Sequence, residues 1–371
     1  MEALRQIEKP LRSFTLKLLN LFILQREIKP EEIDHASIKR ILIILRHRMG
    51  DMVCATPMIR SVRNYYPSAQ IILLTKNSTN FSQIYQNDPT IVNEVMKYEN
   101  GFESLINIIK ELKDKKIDLA IIPSTVVCSV TNHLIAYYSQ APIRVGVSCI
   151  DSIINEADFL LNVKKEFSWN RKQVHQIERN LDIIRQINIS PLVKRIRISP
   201  EINEYVNNFV SVNFPDKTRK KVGFHPGAGK EDNVWNPEKY AELAYLLSKE
   251  HNLYFFISEG PDDAQFVNKF IKIVKEKYKL DNIVRHKGVL MNNTALISLM
   301  DVFITNDTGI MHLASGIEDL PVIALFGPTN AYEWGPLGKN KVSIQSSTKN
   351  INDIQLEIVL EETNKFLESG C

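Results

Sequence analysis

Ile41-Leu42-Ile43-Ile44-Leu45-Arg46-His47-Arg48-Met49-Gly50-Asp51 is an unbroken apolar run that passes directly into charged residues and a glycine. A short run of that kind, bounded by turn residues and rich in β-branched side chains, reads as a strand covered on both faces, as parallel sheets require. Behind it the period changes, and Met52–Tyr65 carries its apolar residues at helical spacing. Strand, polar turn and helix make the repeating unit of an α/β protein. Working outward, Ile71–Thr75, Val92–Tyr98 and Ile117–Pro123 read as further strands, with Phe102–Lys113 and Val126–Tyr138 as the helices between them. An amphipathic helix is expected at Val174–Ile189.

After Ser190-Pro191 the chain turns irregular and basic as far as Lys220, and the alternation then restarts. Strands are expected at Lys221–His225, Leu253–Ser258, Ile283–His286, Val302–Thr305 and Pro321–Phe326. The helices between them are expected at Pro237–Lys249, Asp262–Tyr278, Asn293–Met300 and Ile310–Ser315. The pattern predicts two successive Rossmann-like, doubly wound parallel-sheet domains at residues 38–190 and 221–350. Residues 191–220 form the expected linker, and 351–371 a closing helix.

Composition is consistent with this reading. With 371 residues, 44% hydrophobic and 24% charged, the chain suits a two-domain globular protein. A formal net charge of +3 gives no ground for a nucleic-acid partner. Cys54, Cys128, Cys149 and Cys371 are far apart and show neither a zinc pattern nor a disulfide framework, which suits a reduced, cytoplasmic setting. No apolar run approaches the ~20 residues of a membrane span, and no signal-peptide cleavage site follows the apolar residues near the start. Residues 1–37 form an arm in which Leu11, Phe14, Leu18, Leu21 and Phe22 recur at helical spacing among Arg5, Lys9, Arg12, Lys17, Arg26 and Lys29. The pattern fits a helix lying on an anionic membrane surface equally with one packing on the protein's own body.

The chemistry-bearing residues cluster where strands end. Arg46 to Asp51 follows the first strand, where ligands of open α/β sheets bind. Taken alone, Asp51 reads as a helix cap ahead of a general base, because aspartate is a preferred residue at a helix start. In the second half, His225-Pro226-Gly227-Ala228-Gly229-Lys230 and Asn306-Asp307-Thr308-Gly309-Ile310-Met311-His312 each run from strand to helix and offer backbone amides, a hydroxyl and basic groups to a diphosphate. Glu259-Gly260-Pro261-Asp262-Asp263 places carboxylates where a ribose would be held, or where they serve as first-turn acids. No D-x-D pair follows a strand, so no metal site is expected.

In order, Arg46-x-x-x-Gly50-Asp51, Arg144-Val145-Gly146, His175-x-x-Glu178-x-Asn180, His225-Pro226-Gly227-Ala228, Trp235, Gly260-Pro261-Asp262, Asp307-Thr308-Gly309-x-x-His312 and Phe326-Gly327-Pro328-Thr329 resemble glycosyltransferase family 9, the ADP-heptose:lipopolysaccharide heptosyltransferases. The resemblance implies the GT-B architecture, with the two domains facing a central cleft. It also implies an inverting, metal-independent transferase with no cofactor beyond a nucleoside-diphosphate sugar co-substrate, ADP-heptose. The acceptor would be a lipopolysaccharide-type or other lipid-linked glycan on the inner face of the cytoplasmic membrane. By the same resemblance Asp51 is the base. His225, Gly227, Ala228, Lys230, Asp262, Asp307, Thr308, Gly309 and His312 hold the donor, and Arg46, Arg48, Arg63 and Arg144 hold the acceptor, Arg144 from a loop. One departure stands out: the family carries a lysine two residues before the tryptophan, and this chain has Asn233 before Trp235. A nucleotide-sugar-binding protein without turnover and a sugar-nucleotide epimerase are alternatives. A nicotinamide oxidoreductase is disfavoured, because neither first strand leads into G-x-G-x-x-G.

Overall fold

Why the apolar runs become strands is plain from their surroundings. Ile41 to Leu45 are at most 1% exposed, and neighbours on both sides pair with them in parallel. The computed structural model describes residues 13–76, 85, 90–99 and 101–369. The chain divides into two compact units, Met1–Lys194 and Arg195–Cys371.

In the first unit, β1 (Arg40–Ile44), β2 (Gln70–Lys76), β3 (Glu94–Tyr98), β4 (Leu119–Ile121) and β5 (Ile143–Ile150) stand in the order β3-β2-β1-β4-β5. On β5 the short β6 (Ile153–Ile154) pairs antiparallel and β7 (Val163–Phe167) parallel. A helix over 13–22, called α1 here, precedes the sheet. Between the strands lie α2 (Met49–Tyr65), α3 (Phe102–Asp114) and α4 (Val130–Tyr138), with α5 (Gln176–Arg185) closing the unit. The second unit opens with α6 (Glu204–Asn213). Its six strands are all parallel: β8 (Lys220–His225), β9 (Leu253–Glu259), β10 (Ile283–Lys287), β11 (Val302–Asn306), β12 (Val322–Phe326) and β13 (Lys341–Gln345). They are ordered β10-β9-β8-β11-β12-β13. The helices are α7 (Pro237–Glu250), α8 (Ala264–Glu276), α9 (Leu290–Ile297), α10 (Gly309–Ser315), α11 (Ala331–Trp334) and α12 (Leu356–Glu368). Ile351, Ile354, Leu356, Val359 and Leu367 of the closing segment join the core formed by Phe224, Trp235, Tyr240, Phe255 and Phe270. Each such fully buried side chain contributes about 1.5–3 kcal/mol relative to exposure.

Both sheets are doubly wound. In the first, the order reverses between β1 and β4, and in the second between β8 and β11. These reversals decide where a ligand can enter, because the helices that follow the two adjacent strands diverge to opposite faces.

Three expectations are corrected. The supposed irregular stretch 191–220 contains helix α6, started by Asn203, whose side-chain oxygen accepts from the Val206 N–H at 3.0 Å. Arg144-Val145-Gly146 lies in β5 rather than in a loop, and a Cβ on Gly146 would stand 2.8 Å from Leu161. The arm packs through a stripe other than the expected one. Leu16, with Leu19 and Ile23, rests on Ala157, Phe159 and Leu160, while Phe14, Leu18, Leu21 and Phe22 are exposed. Leu11, Arg5, Lys9 and Arg12 lie outside the described residues. No described helix is long and apolar enough to cross a membrane.

Candidate active site

In the first unit the chain leaves β1 at the sheet's reversal point and turns into α2 with Arg48 as the residue before the first helical position. Asp51 is therefore the third residue of the helix, not its cap residue. Burial raises its pKa above the ordinary aspartate value. The His47 imidazole, hydrogen bonds from the backbone at Arg48 and Asp51, and the Arg48 charge pull the other way without cancelling it. His47 is displaced downward, chiefly by its own burial and against the pull of Asp51. Its Nε2 is buried with no hydrogen-bond partner. Such an arrangement pairs a partly desolvated carboxylate with a neutral imidazole, and a carboxylate of raised pKa is a better proton acceptor.

The four arginines expected to meet the acceptor separate into two groups. Arg46 shares the β1 loop with Asp51. Its guanidinium lies 4.1 Å over the Tyr98 ring and donates to the Asn132 side chain at 3.0 Å. Because Asn132 belongs to α4, which follows β4, this contact braces the two loops that flank the reversal point. Arg48 is exposed beside Asp51. Arg63 and Arg144, by contrast, are structural. Arg63 sits in the last turn of α2, the end opposite Asp51. It donates to the carbonyls of Ile91, Tyr66, Pro67 and Ala69 and to the Asn93 side chain, tying the entry of β2 together. Arg144 is 6% exposed and donates to the carbonyls of Leu160 and Ala141 and to the Gln25 side chain. A guanidinium has five N–H groups, and in both residues they are directed at the protein's own backbone and neighbours.

In the second unit the loops after β8, β9, β11 and β12 interlock. Asn306, the last residue of β11, donates from Nδ2 to the carbonyls of Pro226 and Gly227 at 3.2 and 3.1 Å. Its Oδ1 accepts from the Trp235 N–H and the Tyr240 hydroxyl. One buried amide thus fixes the β8 loop against β11 across the reversal point. Asp307 follows it. Burial raises its pKa, while a hydrogen bond from Thr329 of the β12 loop and the charge of exposed Lys230 lower it. Thr308 caps α10, its hydroxyl accepting from the Met311 N–H at 3.4 Å. Gly309 is the first residue of that helix, and His312 is buried beside Trp334.

Asp262 and Asp263 exchange prominence. Asp262 is exposed, whereas Asp263 is buried and accepts from the Gly260 N–H at 2.7 Å. Its side chain occupies the space that a Cβ on Gly227 would need, 2.1 Å away. It also lies 3.5 Å from His225 Nε2. His225 Nδ1 is 3.1 Å from the Ser258 carbonyl and 3.3 Å from the Ser258 hydroxyl. His225 is 3% exposed, so the expectation that it touches the donor is corrected: both ring nitrogens face the protein, and the residue positions the Gly227 loop through Asp263. Its pKa is lowered, first by burial, with Asp263 and the Ser258 carbonyl opposing. The sequence offers Asp263 only as a ribose-holding or first-turn acid and Asn306 only as part of its turn, not as the residues that hold these loops together. Their signal is only that each follows or ends an apolar strand. Among the described residues no group of three or more His, Cys, Asp or Glu side chains could hold a metal ion.

The model of glycosyltransferase family 9 (heptosyltransferase) matches residues 105–362. Lipooligosaccharide heptosyltransferase 2 of Campylobacter jejuni is 25% identical over 305 residues, covering 80% of this chain and 83% of that protein. Two solved structures share the fold. E. coli ADP-heptose lps heptosyltransferase II aligns with a TM-score of 0.73 at 22% identity, over 89% of this chain and 99% of that one. E. coli heptosyltransferase WaaC with ADP aligns with a TM-score of 0.66 at 18% identity, over 88% and 99%. The chain belongs to glycosyltransferase family 9, the heptosyltransferases, and is a glycosyltransferase of two Rossmann-like units.

Proposed function

We propose that the chain moves heptose from ADP-heptose to a lipopolysaccharide-core or related lipid-linked glycan, with inversion at the anomeric carbon. The observation that supports this most is that each sheet carries the required chemistry at its own reversal point: a partly buried carboxylate, Asp51, in the first unit, and the Gly227 and Asp307-Thr308-Gly309 turns in the second. In this reading Asp51 takes the proton of the acceptor hydroxyl as its oxygen attacks the anomeric carbon. The bond from that carbon to the diphosphate breaks, and ADP leaves with the electron pair. Backbone N–H groups around Gly227, Ala228, Thr308 and Gly309, with the charge of Lys230, stabilise the leaving diphosphate. Asp262 reaches the ribose, and Arg46 and Arg48 serve the acceptor. The nucleotide sugar is a co-substrate, and this chemistry calls for no separate cofactor. The relative solved with ADP supports adenine as the base.

The test is a calorimetric titration of the purified protein with ADP, GDP, UDP and ADP-heptose, followed by a transfer assay on a core-glycan acceptor. ADP and ADP-heptose are expected to bind, and Lys230→Ala to weaken ADP by about three- to tenfold, a modest value because the lysine is exposed. Preference for guanine or uracil would reject ADP-heptose. Tight binding without transfer would leave a binding protein, and a donor returned as its epimer would identify an epimerase.

The arm extends the proposal to the inner face of the cytoplasmic membrane, where the acceptor would lie. Phe14, Leu18, Leu21 and Phe22 are 47–78% exposed, on a helix that also carries Lys17 and is followed by Arg26 and Lys29. Apolar side chains beside cations suit insertion into an anionic surface. Changing all four to Asn is expected to leave the melting temperature unchanged and to reduce binding to phosphatidylglycerol vesicles at least ~10-fold. Unchanged vesicle binding would remove the arm from this role. Deleting residues 1–37 is the poorer experiment, because it would also strip Leu16 from its packing and Gln25 from Arg144.

A further inference from the structure

Asn233 ends the turn Glu231–Asn233 between the β8 loop and Trp235. It stands where the family resemblance leads one to expect a lysine, and it is 9% exposed. Its Nδ2 lies 3.3 Å from Asp307 Oδ2 and 3.4 Å from the Asp307 carbonyl oxygen. Both neighbours are acceptors, which determines the orientation of the amide, since only the nitrogen has hydrogens to give them. The consequence is that Asn233 Oδ1 is buried with no hydrogen-bond partner. Buried polar atoms are almost always satisfied, and one left open beside a candidate site calls for a group to fill it.

The chemistry of the missing partner follows. An amide oxygen only accepts, so it needs an O–H or N–H. The diphosphate of a nucleotide sugar, esterified at both ends, carries no hydrogen at neutral pH and cannot supply one. A hydroxyl of a sugar can. Asp307, hydrogen-bonded through one oxygen to Asn233, adds a second acceptor at the same place. Replacing a lysine by asparagine therefore does more than delete a charge. It exchanges a group that attracts phosphate for one that accepts from a hydroxyl.

We propose that Asn233 is a specificity-determining residue whose Oδ1 accepts a hydroxyl of the glycosyl group of a nucleoside-diphosphate sugar. This rests on the reading of the second unit as the donor site. In that role Asn233 discriminates the sugar-bearing donor from the bare nucleoside diphosphate, while the positive charge acting on Asp307 is that of Lys230.

The test compares two ligands in three proteins. ADP and ADP-heptose are titrated calorimetrically into the unaltered chain, Asn233→Leu and Asn233→Lys. Both variants lose Oδ1, while the lysine variant keeps a donor toward Asp307. Both are expected to weaken ADP-heptose relative to ADP by about tenfold, the worth of one hydrogen bond made in a desolvated site. ADP alone should change by no more than about twofold with leucine and should tighten with lysine, through the restored charge. The readout is the ratio of the two dissociation constants, so a general loosening of the loop, which affects both ligands alike, cancels. An unchanged ratio in both variants overturns the proposal and makes Asn233 a loop support. Failure of the unaltered chain to bind ADP at all would instead overturn the donor-site reading beneath it.

Discussion

Replacing Asp51 by Asn is expected to lower sugar transfer by about 10²–10⁴-fold, the usual contribution of a general base, with donor affinity unchanged. The substitution preserves shape and the hydrogen bonds at the start of α2, and removes only the ability to take a proton. Its effect on stability separates the roles. Burial raises the Asp51 pKa above its ordinary value, so the folded state binds this proton more tightly than the unfolded one. The stability linked to that proton is complete below the ordinary pKa and is lost as pH rises through the raised one. At neutral pH the ionised group is therefore a cost, and a neutral Asn should melt at the same temperature or higher. A mere helix-dipole or capping role predicts the reverse, lower stability with normal turnover. The pH profile gives a second check. Transfer by the unaltered enzyme should fall on the acid side at a pH above that of an ordinary aspartate, and that limb should vanish from the residual activity of Asp51→Asn. Near-normal transfer by the variant would reassign the residue to the helix start.

Gly227→Ala should weaken ADP and ADP-heptose together by about 10–100-fold. The added methyl would stand 2.1 Å from Asp263 Cγ and Oδ1, an overlap that something must relieve. Asp263 cannot swing away without losing the Gly260 N–H at 2.7 Å and its place beside His225. Toward Gly260 its Oδ2 is already in hydrogen-bond contact with the backbone N–H, which leaves little room on that side. The backbone of the β8 loop must shift instead, and that loop is held to β11 by the two hydrogen bonds from Asn306. Overpacking of this kind costs about 1–3 kcal/mol, of which part appears as lost donor affinity and part as a melting temperature lowered by roughly 2–4 °C per kcal/mol. Gly229→Ala is the control. Gly229 is exposed and a Cβ there meets nothing within 4 Å, so binding should stay within about twofold of the unaltered chain. Equal behaviour of the two variants would show that Asp263 does not determine the shape of the loop.

What the chain reveals by itself is the part written in local periodicity. Buried parallel strands must be apolar throughout, and helices must repeat their apolar face every 3.6 residues, so β1, β8, β11 and the helices after them are legible as runs and stripes. The turns between them are legible because glycine, threonine and aspartate at strand ends are few and chemically distinct. Where a segment's burial is partial, the signal fades. β7 (Val-Lys-Lys-Glu-Phe) and β13 (Lys-Val-Ser-Ile-Gln) alternate too weakly to read as strands, and α6, rich in asparagine and valine, is a helix through its cap and packing rather than its propensity. Only the tertiary structure decides which residues of like type do which work. Asp262 and Asp263 are adjacent in sequence, yet one turns to solvent and the other fills the gap between Gly227 and Gly260. Arg48 is exposed beside Asp51, while Arg63 and Arg144 spend their N–H groups on carbonyls. The same holds for Asn233, whose open acceptor is defined by Asp307, 74 residues further along. The reason is the range of the forces: a strand or helix is specified by neighbours a few residues away, whereas a side chain's hydrogen-bond partners depend on which strands lie side by side, and that order is set by the packing of the whole sheet.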